Sequence, residues 1–399
     1  MTGASLRESA APIKITGHSL VTCLGHGRAV HLDAMIEGRS GLAPSDVPDL
    51  PFGCFIGRVP DIEGLDFPKD VADFDNRANR LALAALNADG FKDRIEKAIA
   101  HWGVARLGVI IGTSTSGIEK LETVYRDREA NAPLPESYVM RHHDNHQAVA
   151  AFLQEHFALT GPSYSISTAC SSSAKALVDA VQLIEAGLCD AVLTGGVDSL
   201  CLTTLNGFEA MQLVSRQPCR PCDANRDGLS IGEGAALMLV ERSTSPGVRL
   251  SGYGESSDGV SMSTPPEDGS GAHAAIEAAL ERARLTPDQV GFINLHGTAT
   301  PTNDTAECRA VANVFGTSTP ASSFKGAVGH TLGAAGAVEA VMCLIAQEAG
   351  LVPGNVGLED LDPTIACDIV PQSRHGDLTN VITNAFGFGG SNCVLVLSA

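Results

Sequence analysis

Stretches of alternating hydrophobic and polar residues recur along this chain, separated by glycine turns and by runs with helical spacing. "IKITGHSLVTCLG" (13–25) and "VRLSGYGESSDG" (248–259) alternate and end in glycine, which predicts two similar strands. "RLGVIIGTSTSG" (106–117) and "GFINLHGTATPT" (291–302) are apolar runs that enter Gly-Thr and a polar loop, the pattern of buried strands. "SISTACSSSAKAL" (165–177) and "SSFKGAVGHTLGAAGAVEA" (322–340) both read as strand, turn, helix. "DAVLTGGVDSL" (190–200) and "NVITNAFGFGGSN" (380–392) form a fourth pair. The four pairs keep their order, so a duplicated α/β unit is expected, with mixed, largely buried sheets and helices on their faces. The division expected is a disordered lead-in over 1–12, a first half over 13–247 and a second over 248–399.

After Cys170 the apolar positions Ala174, Leu177, Val178, Val181 and Ile184 follow helical spacing, and Gly187 supplies a stop. Cys170 therefore falls at a strand-to-helix turn. The first turn of a helix exposes unpaired N–H groups and a positive dipole, which favour a thiolate. A buried structural cysteine is the competing reading of the same residue.

Composition narrows the function classes. The 399 residues are 44% hydrophobic and 18% charged, an ordinary globular balance that supports two packed halves. The net charge of −19 disfavours nucleic acid and anionic membranes as partners. An acidic protein partner would need a local basic patch, for which Arg77, Arg80, Arg126 and Arg128 are candidates against the plainer reading of solvated charges. Eleven scattered cysteines in a chain of this size, with no apolar export segment at its start, suit reduced thiols in a cytoplasm. The oily stretch after Gly336 is broken by Glu339 and Glu348, so no membrane insertion is expected.

The second half supplies bases where the first supplies a thiol. "NLHGTATPTND" places His296 just past a strand end, and "SFKGAVGH" places Lys325 and His330 at the turn that matches that of Cys170. A thiol, two imidazoles and a lysine on equivalent loops form a chemical constellation. Each histidine alone would more often be structural.

These motifs resemble the β-ketoacyl-acyl carrier protein synthases of the thiolase superfamily. The resemblance rests on "GPSYSISTACSSS", "RPCDANRDGLSIGEGA", "LHGTATPTND", "KGAVGHTLGAAGAVE" and "NAFGFGGSN", and it covers nearly the whole chain. It implies a dimer whose subunits are thiolase-like five-layer α-β-α-β-α sandwiches, with cap insertions in the first half. It also implies a catalytic Cys-His-His set of Cys170, His296 and His330, which condenses an acyl group on Cys170 with malonyl-acyl carrier protein. By the same resemblance, Lys325 and Glu339 order the histidines. The N–H groups of Cys170 and Phe388 form an oxyanion hole, helped by the glycines of "GFGGSN", Gly389 among them. Thr298 and Thr300 contact the pantetheine arm, and Phe386 and Phe388 gate the acyl tunnel. Arg220, Asp223, Arg226 and Asp227 are expected as an ion-pair knot beneath the site. No metal or organic cofactor is implied, because the malonyl substrate carries its own leaving carboxylate. The expected partners are acyl- and malonyl-loaded carrier protein and a second subunit, identical or homologous. The spellings "GTSTSG", "STACSSSA", "INLHGTATP" and "GHTLGAAG" resemble the ketosynthases of aryl polyene pathways.

Competing readings are weaker. A thiolase would want a second cysteine at the C-terminal glycine motif, and a chain-initiating synthase would usually carry asparagine where His330 stands. A non-condensing, carrier-protein-binding partner subunit usually lacks the cysteine. "CRPC" (Cys219, Cys222) has no second pair for zinc, and "HHDNH" (His142, His143, His146) reads as a polar loop. The S-x-x-K pairs Ser172/Lys175 and Ser322/Lys325 lack the companion K-T-G of serine acylases.

Overall fold

The structure is a computed structural model that describes residues 11–399. Most of the expected lead-in, residues 1–10, lies outside the described residues. Among the described residues, two six-stranded sheets share a five-strand plan, and each adds one two-residue edge strand, Gly25–His26 in the first and Asp368–Ile369 in the second. The first contains β1 (Ile13–Thr22), β2 (Leu107–Gly112), β3 (Ser163–Ile166), β4 (Ala191–Asp198) and β5 (Gly234–Arg242). The second contains β6 (Arg249–Ser257), β7 (Phe292–Asn294), β8 (Pro320–Ser322), β9 (Asn380–Gly387) and β10 (Ser391–Ser398). Their spatial orders are β1-β5-β4-β2-β3 and β6-β10-β9-β7-β8, the same path taken twice. Pair by pair the directions agree as well: the first two pairings in each sheet are antiparallel and the last two parallel. Even the irregularities correspond. A bulge falls between Ile15 and Gly17 in β1, and another between Leu250 and Gly252 in β6.

Helices complete five layers. α1 (Arg77–Asn87), α2 (Phe91–Trp102) and α4 (Ala148–His156) cover the outer face of the first sheet, and α7 (Ser270–Ala283) and α8 (Pro301–Phe315) that of the second. Between the sheets lie α5 (Ser172–Glu185) and α9 (Ala335–Ala349). A helix apolar all round must be buried all round, and Ala335 through Ala346 of α9 are buried without exception. The oily stretch seen in the sequence is thus the central helix of the sandwich. The two middle helices approach closely because small residues face each other. A Cβ on Gly336 would lie 2.7 Å from the backbone nitrogen of Ala174. Each middle helix begins just after a loop that crosses one end of the sheets. The segment α3 (Ile118–Asp127) and the helix α6 (Leu202–Ala210) cap that same end.

Candidate active site

Cys170 stands in the loop between β3 and α5, one residue after Ala169, whose φ of 54° is left-handed. Local bonds hold this turn: the Thr168 N–H donates to Ser172 Oγ at 2.9 Å, and the Ser172 hydroxyl donates to the Ala169 carbonyl at 2.5 Å. His296 leaves the end of β7, and His330 follows the short helix Lys325–Val328 through Gly329, at φ 75°. His330 is stitched to the strand Ile231–Gly232: its N–H donates to the Ser230 carbonyl at 2.7 Å and its carbonyl accepts from Gly232 at 2.9 Å. The three side chains converge. His330 Nε2 is 2.9 Å from Cys170 Sγ, the two imidazoles are nearly perpendicular with centroids 5.3 Å apart, and the sulfur and one nitrogen of each ring lie within 4.8 Å of one another.

Lys325, fully buried, bonds to Glu339 Oε1 and to the His296 carbonyl, and its ammonium faces His296 Nδ1 at 3.4 Å. The second oxygen of Glu339 accepts from Asn294 at 3.1 Å. Removing one partner of such a buried pair would strand a charge, at a cost of about 3–5 kcal/mol. Because the ammonium donates to Nδ1, the His296 hydrogen sits on Nε2, the nitrogen away from Lys325. Among the described residues, His330 Nδ1 has no partner. An unpartnered buried N–H costs more than an unpartnered lone pair, so its hydrogen also belongs on Nε2, beside the sulfur.

Burial, then the charge of Lys325 and the neighbouring His330, hold His296 well below the usual imidazole range, and burial and Lys325 do the same to His330. Both are neutral at pH 7. The thiol departs from the sequence expectation of a helix-stabilised thiolate. Burial pushes Cys170 up to about 11, and the Lys325 charge and the Phe388 backbone N–H pull it only part of the way back. Cys170 precedes the helix, and the first available N–H, that of Ser172, is already bonded to Ala169. Desolvation outweighs the field at the helix start.

The trio is close enough to hold a metal ion, but its surroundings do not suit one. A ligating imidazole donates its other N–H to an acceptor. Here His296 Nδ1 meets an ammonium, and His330 Nδ1 meets no acceptor among the described residues. The "HHDNH" loop forms no ligand cluster among the described residues. Cys219 of "CRPC" donates instead to the Lys325 carbonyl at 3.2 Å.

A cavity opens onto the trio. Thr298 and Thr300, hydroxyls 2.9 Å apart, line it beside Phe386 and Phe388. Phe386 lies 5.9 Å from the His296 ring, and Phe388 packs on Phe208 of α6 at 5.5 Å. Gly389 does not line the cavity; Gly387 and Gly390 do. Gly389, at φ 79°, instead turns its N–H to the Met262 carbonyl at 2.7 Å. The expected ion-pair knot is also rearranged. Arg226 pairs with Asp362 at 2.5 Å and Asp304 at 3.6 Å, Asp223 faces Arg220 at 3.7 Å, and Asp227 is exposed. Proximity in sequence had suggested partners that α8 and the 359–362 loop supply instead. Of the basic candidates, Arg77 and Arg80 are engaged internally, with Glu233 and Asp75. Arg126 and Arg128 stay at the surface, Arg128 over the Tyr125 ring.

Sequence reasoning missed two buried carboxylates. Glu307, on α8, accepts from the His296 N–H at 2.7 Å, the Gly297 N–H at 2.8 Å and Asn384 at 2.9 Å. Burial lifts it to about 7 against the pull of those donors. Asp198 ends β4, and its only sequence signal was an acid closing the otherwise uncharged run "AVLTGGVD".

This geometry, a cysteine and two neutral histidines on matching loops of a doubled five-layer sandwich, defines a thiolase-fold acyltransferase of the Cys-His-His type. Two adjoining family models cover most of the chain: the beta-ketoacyl synthase N-terminal domain over residues 10–245 and its C-terminal domain over 248–359. The chain belongs to the β-ketoacyl synthase family. It is 32% identical to 3-oxoacyl-[acyl-carrier-protein] synthase 2 of Vibrio harveyi, over 96% of this chain and 97% of that one. It is also 32% identical to synthase 1 of Escherichia coli K12, over 96% and 98%. Among solved structures it resembles a ketosynthase in complex with its chain length factor from Xenorhabdus doucetiae, at 34% identity, full coverage of both chains and a TM-score of 0.90. A β-ketoacyl synthase from Burkholderia phymatum matches at 27% identity, 97% and 99% coverage and a TM-score of 0.86.

Proposed function

We propose that Cys170 accepts an acyl group from acyl carrier protein and that His296 and His330 then drive its condensation with malonyl carrier protein. The observation that carries this reading is the convergence of one sulfur and two neutral imidazoles at the floor of a threonine-lined cavity. In the first step Cys170 Sγ attacks the thioester carbonyl. The Phe388 N–H, directed at the sulfur, and the Cys170 N–H receive the oxyanion. The arm leaves as a thiol, so the proton of Cys170 ends on the pantetheine sulfur. In the second step malonyl thioester loses carbon dioxide. The Nε2–H groups of His296 and His330 stabilise the enolate oxygen, its carbon attacks the acyl-cysteine carbonyl, and the C–S bond breaks to expel the Cys170 thiolate, which takes a proton from water to return to the thiol. Lys325, paired with Glu339, holds the His296 hydrogen on Nε2. Thr298 and Thr300 bind the pantetheine arm, and Phe386 and Phe388 close over the acyl chain.

The reading extends to a cytoplasmic enzyme that works as a dimer, homomeric or with a homologous subunit, on rigid conjugated acyl chains of the aryl polyene kind. The likeness to a ketosynthase–chain length factor complex supports the heteromeric form. Condensation and carbon dioxide release from malonyl carrier protein test the chemistry. Cys170→Ala should abolish the first and keep the second; His330→Ala should lower the second by roughly 10²–10³-fold, the loss usual for one oxyanion donor. A His330→Ala enzyme that decarboxylates normally but cannot be acylated would overturn these roles. Competition between polyenoyl and saturated carrier proteins of equal length tests the substrate, and preference for the saturated chain would point to general fatty-acid synthesis.

A further inference from the structure

The mechanism above leaves unused a fully buried carboxylate, Asp198, that bonds to two loops at the floor of the site and reaches a third, the Cys170 loop, through Ser114. Its Oδ1 accepts from the hydroxyl of Thr113 at 2.7 Å, the N–H of Ser114 at 2.9 Å, and the N–H and hydroxyl of Thr115 at 2.7 and 2.8 Å. Its Oδ2 accepts from the Ala334 N–H at 3.1 Å and shares the Ser114 N–H at 3.0 Å. The Thr113–Thr115 loop follows β2. Ala334 closes the turn that begins immediately after His330. The Cys170 loop joins through Ser114, whose hydroxyl donates to the Ala169 carbonyl at 3.4 Å.

Each of these three loops holds a non-glycine residue at positive φ: Ser116 at 47°, Leu332 at 54° and Ala169 at 54°. Such residues persist only where surrounding bonds over-determine them. Gly333 fits the same arrangement. A Cβ there would lie 2.8 Å from Asp198 Oδ2 and 2.6 Å from the Ser114 nitrogen. His330 is pinned at its own N–H and C=O by Ser230 and Gly232, and downstream its turn is held by Asp198.

We propose that Asp198 is a positioning residue for the condensation. It clamps the turn after His330, and so sets the His330 imidazole against Cys170. It touches neither substrate nor reacting atoms. This inference rests on the roles proposed above for Cys170 and His330.

The two oxygens have separable duties, which makes a selective variant available. In Asp198→Asn the amide oxygen stays with the donors at Oδ1. The NH₂ then replaces Oδ2 and faces the Ala334 N–H, so the tie to the His330 turn is lost, while the Ser114 N–H, shared between the two oxygens, keeps its bond to Oδ1. Decarboxylation of malonyl carrier protein should fall in kcat by roughly 10²-fold, the order expected for a misplacement near 1 Å. KM for malonyl carrier protein should stay within about twofold of wild type, since the pantetheine contacts are untouched, and acylation of Cys170 should keep most of its rate. Gly333→Ala presses on the same contact from the other side and should give the same split if the asparagine variant folds poorly. Thr115→Val removes the hydroxyl donor to Oδ1 and the acceptor for the Ser199 N–H, and leaves Oδ2 untouched. It should lower the unfolding midpoint while leaving the decarboxylation kcat within about twofold, which separates positioning from plain stability. Wild-type kcat in both Asp198→Asn and Gly333→Ala would overturn the inference. So would a loss of acylation and decarboxylation in equal proportion, the mark of a collapsed site. A wild-type enzyme unable to decarboxylate malonyl carrier protein would sink the proposed function itself, a different result from either.

Discussion

At the scale of single residues, the chemistry turns on a cysteine that rests as a thiol. Burial raises Cys170 to about 11, and the nearest charges only partly offset it. The thiolate is the nucleophile. Its population below that value grows about tenfold per pH unit. Alkylation of Cys170 by iodoacetamide should therefore accelerate about tenfold per unit from about pH 7 to pH 10, without a plateau near neutrality. A rate that levels off by about pH 7 would indicate a stabilised thiolate–imidazolium pair and contradict this reading. The residues that were legible in the sequence are those whose chemistry is rare. A cysteine at a helix start and histidines at strand ends stand out against a chain of leucines and alanines. Glu307 was not legible because an acid within a helix reads as a solvent-facing residue. Only the fold turns that face of α8 toward the His296 loop, where backbone N–H groups need an acceptor.

At the scale of elements, the spacing between α5 and α9 sets the spacing between the loops that precede them. Gly336 lets the helices touch, and an added Cβ would meet the backbone and the Cβ of Ala174 at 2.7 and 2.8 Å. Backbone cannot yield as a flexible side chain would. Gly336→Ala should therefore destabilise the protein by about 1–3 kcal/mol, read as a lower denaturant midpoint at unchanged slope. An unchanged midpoint would show that the helices separate without cost. The strand and helix pattern was largely readable because β1, β4, β6 and β9 alternate or run apolar between glycine turns. The partners of Arg226 were not readable. Asp304 and Asp362 lie 78 and 136 positions away in a chain whose local sequence offered Asp223 and Asp227.

At the scale of the whole molecule, the duplication in the sequence is the repeat of one sheet path, and its ends differ. β3 pairs with β2 on one side only, among the described residues. The carbonyls of Pro162 and Ile166 accept from Val109 and Thr113, so Ser163 and Ser165 turn their own N–H and C=O groups to the free edge. An open edge is a template for a second chain, and a two-fold axis there would pair β3 with its counterpart. Light scattering should give the mass of two chains, and Ser165→Pro, which removes an outward N–H, should shift it toward one. A dimer indifferent to that change would place the interface elsewhere. The claim on which everything rests is that this chain itself carries the acyl group. Intact mass after incubation with acyl carrier protein measures it directly. One acyl group should appear per chain, lie on the peptide containing Cys170, vanish in Cys170→Ala and be released by malonyl carrier protein as a 3-oxoacyl product. A chain that binds loaded carrier protein but gains no mass would contradict the account and mark it as a non-condensing partner subunit.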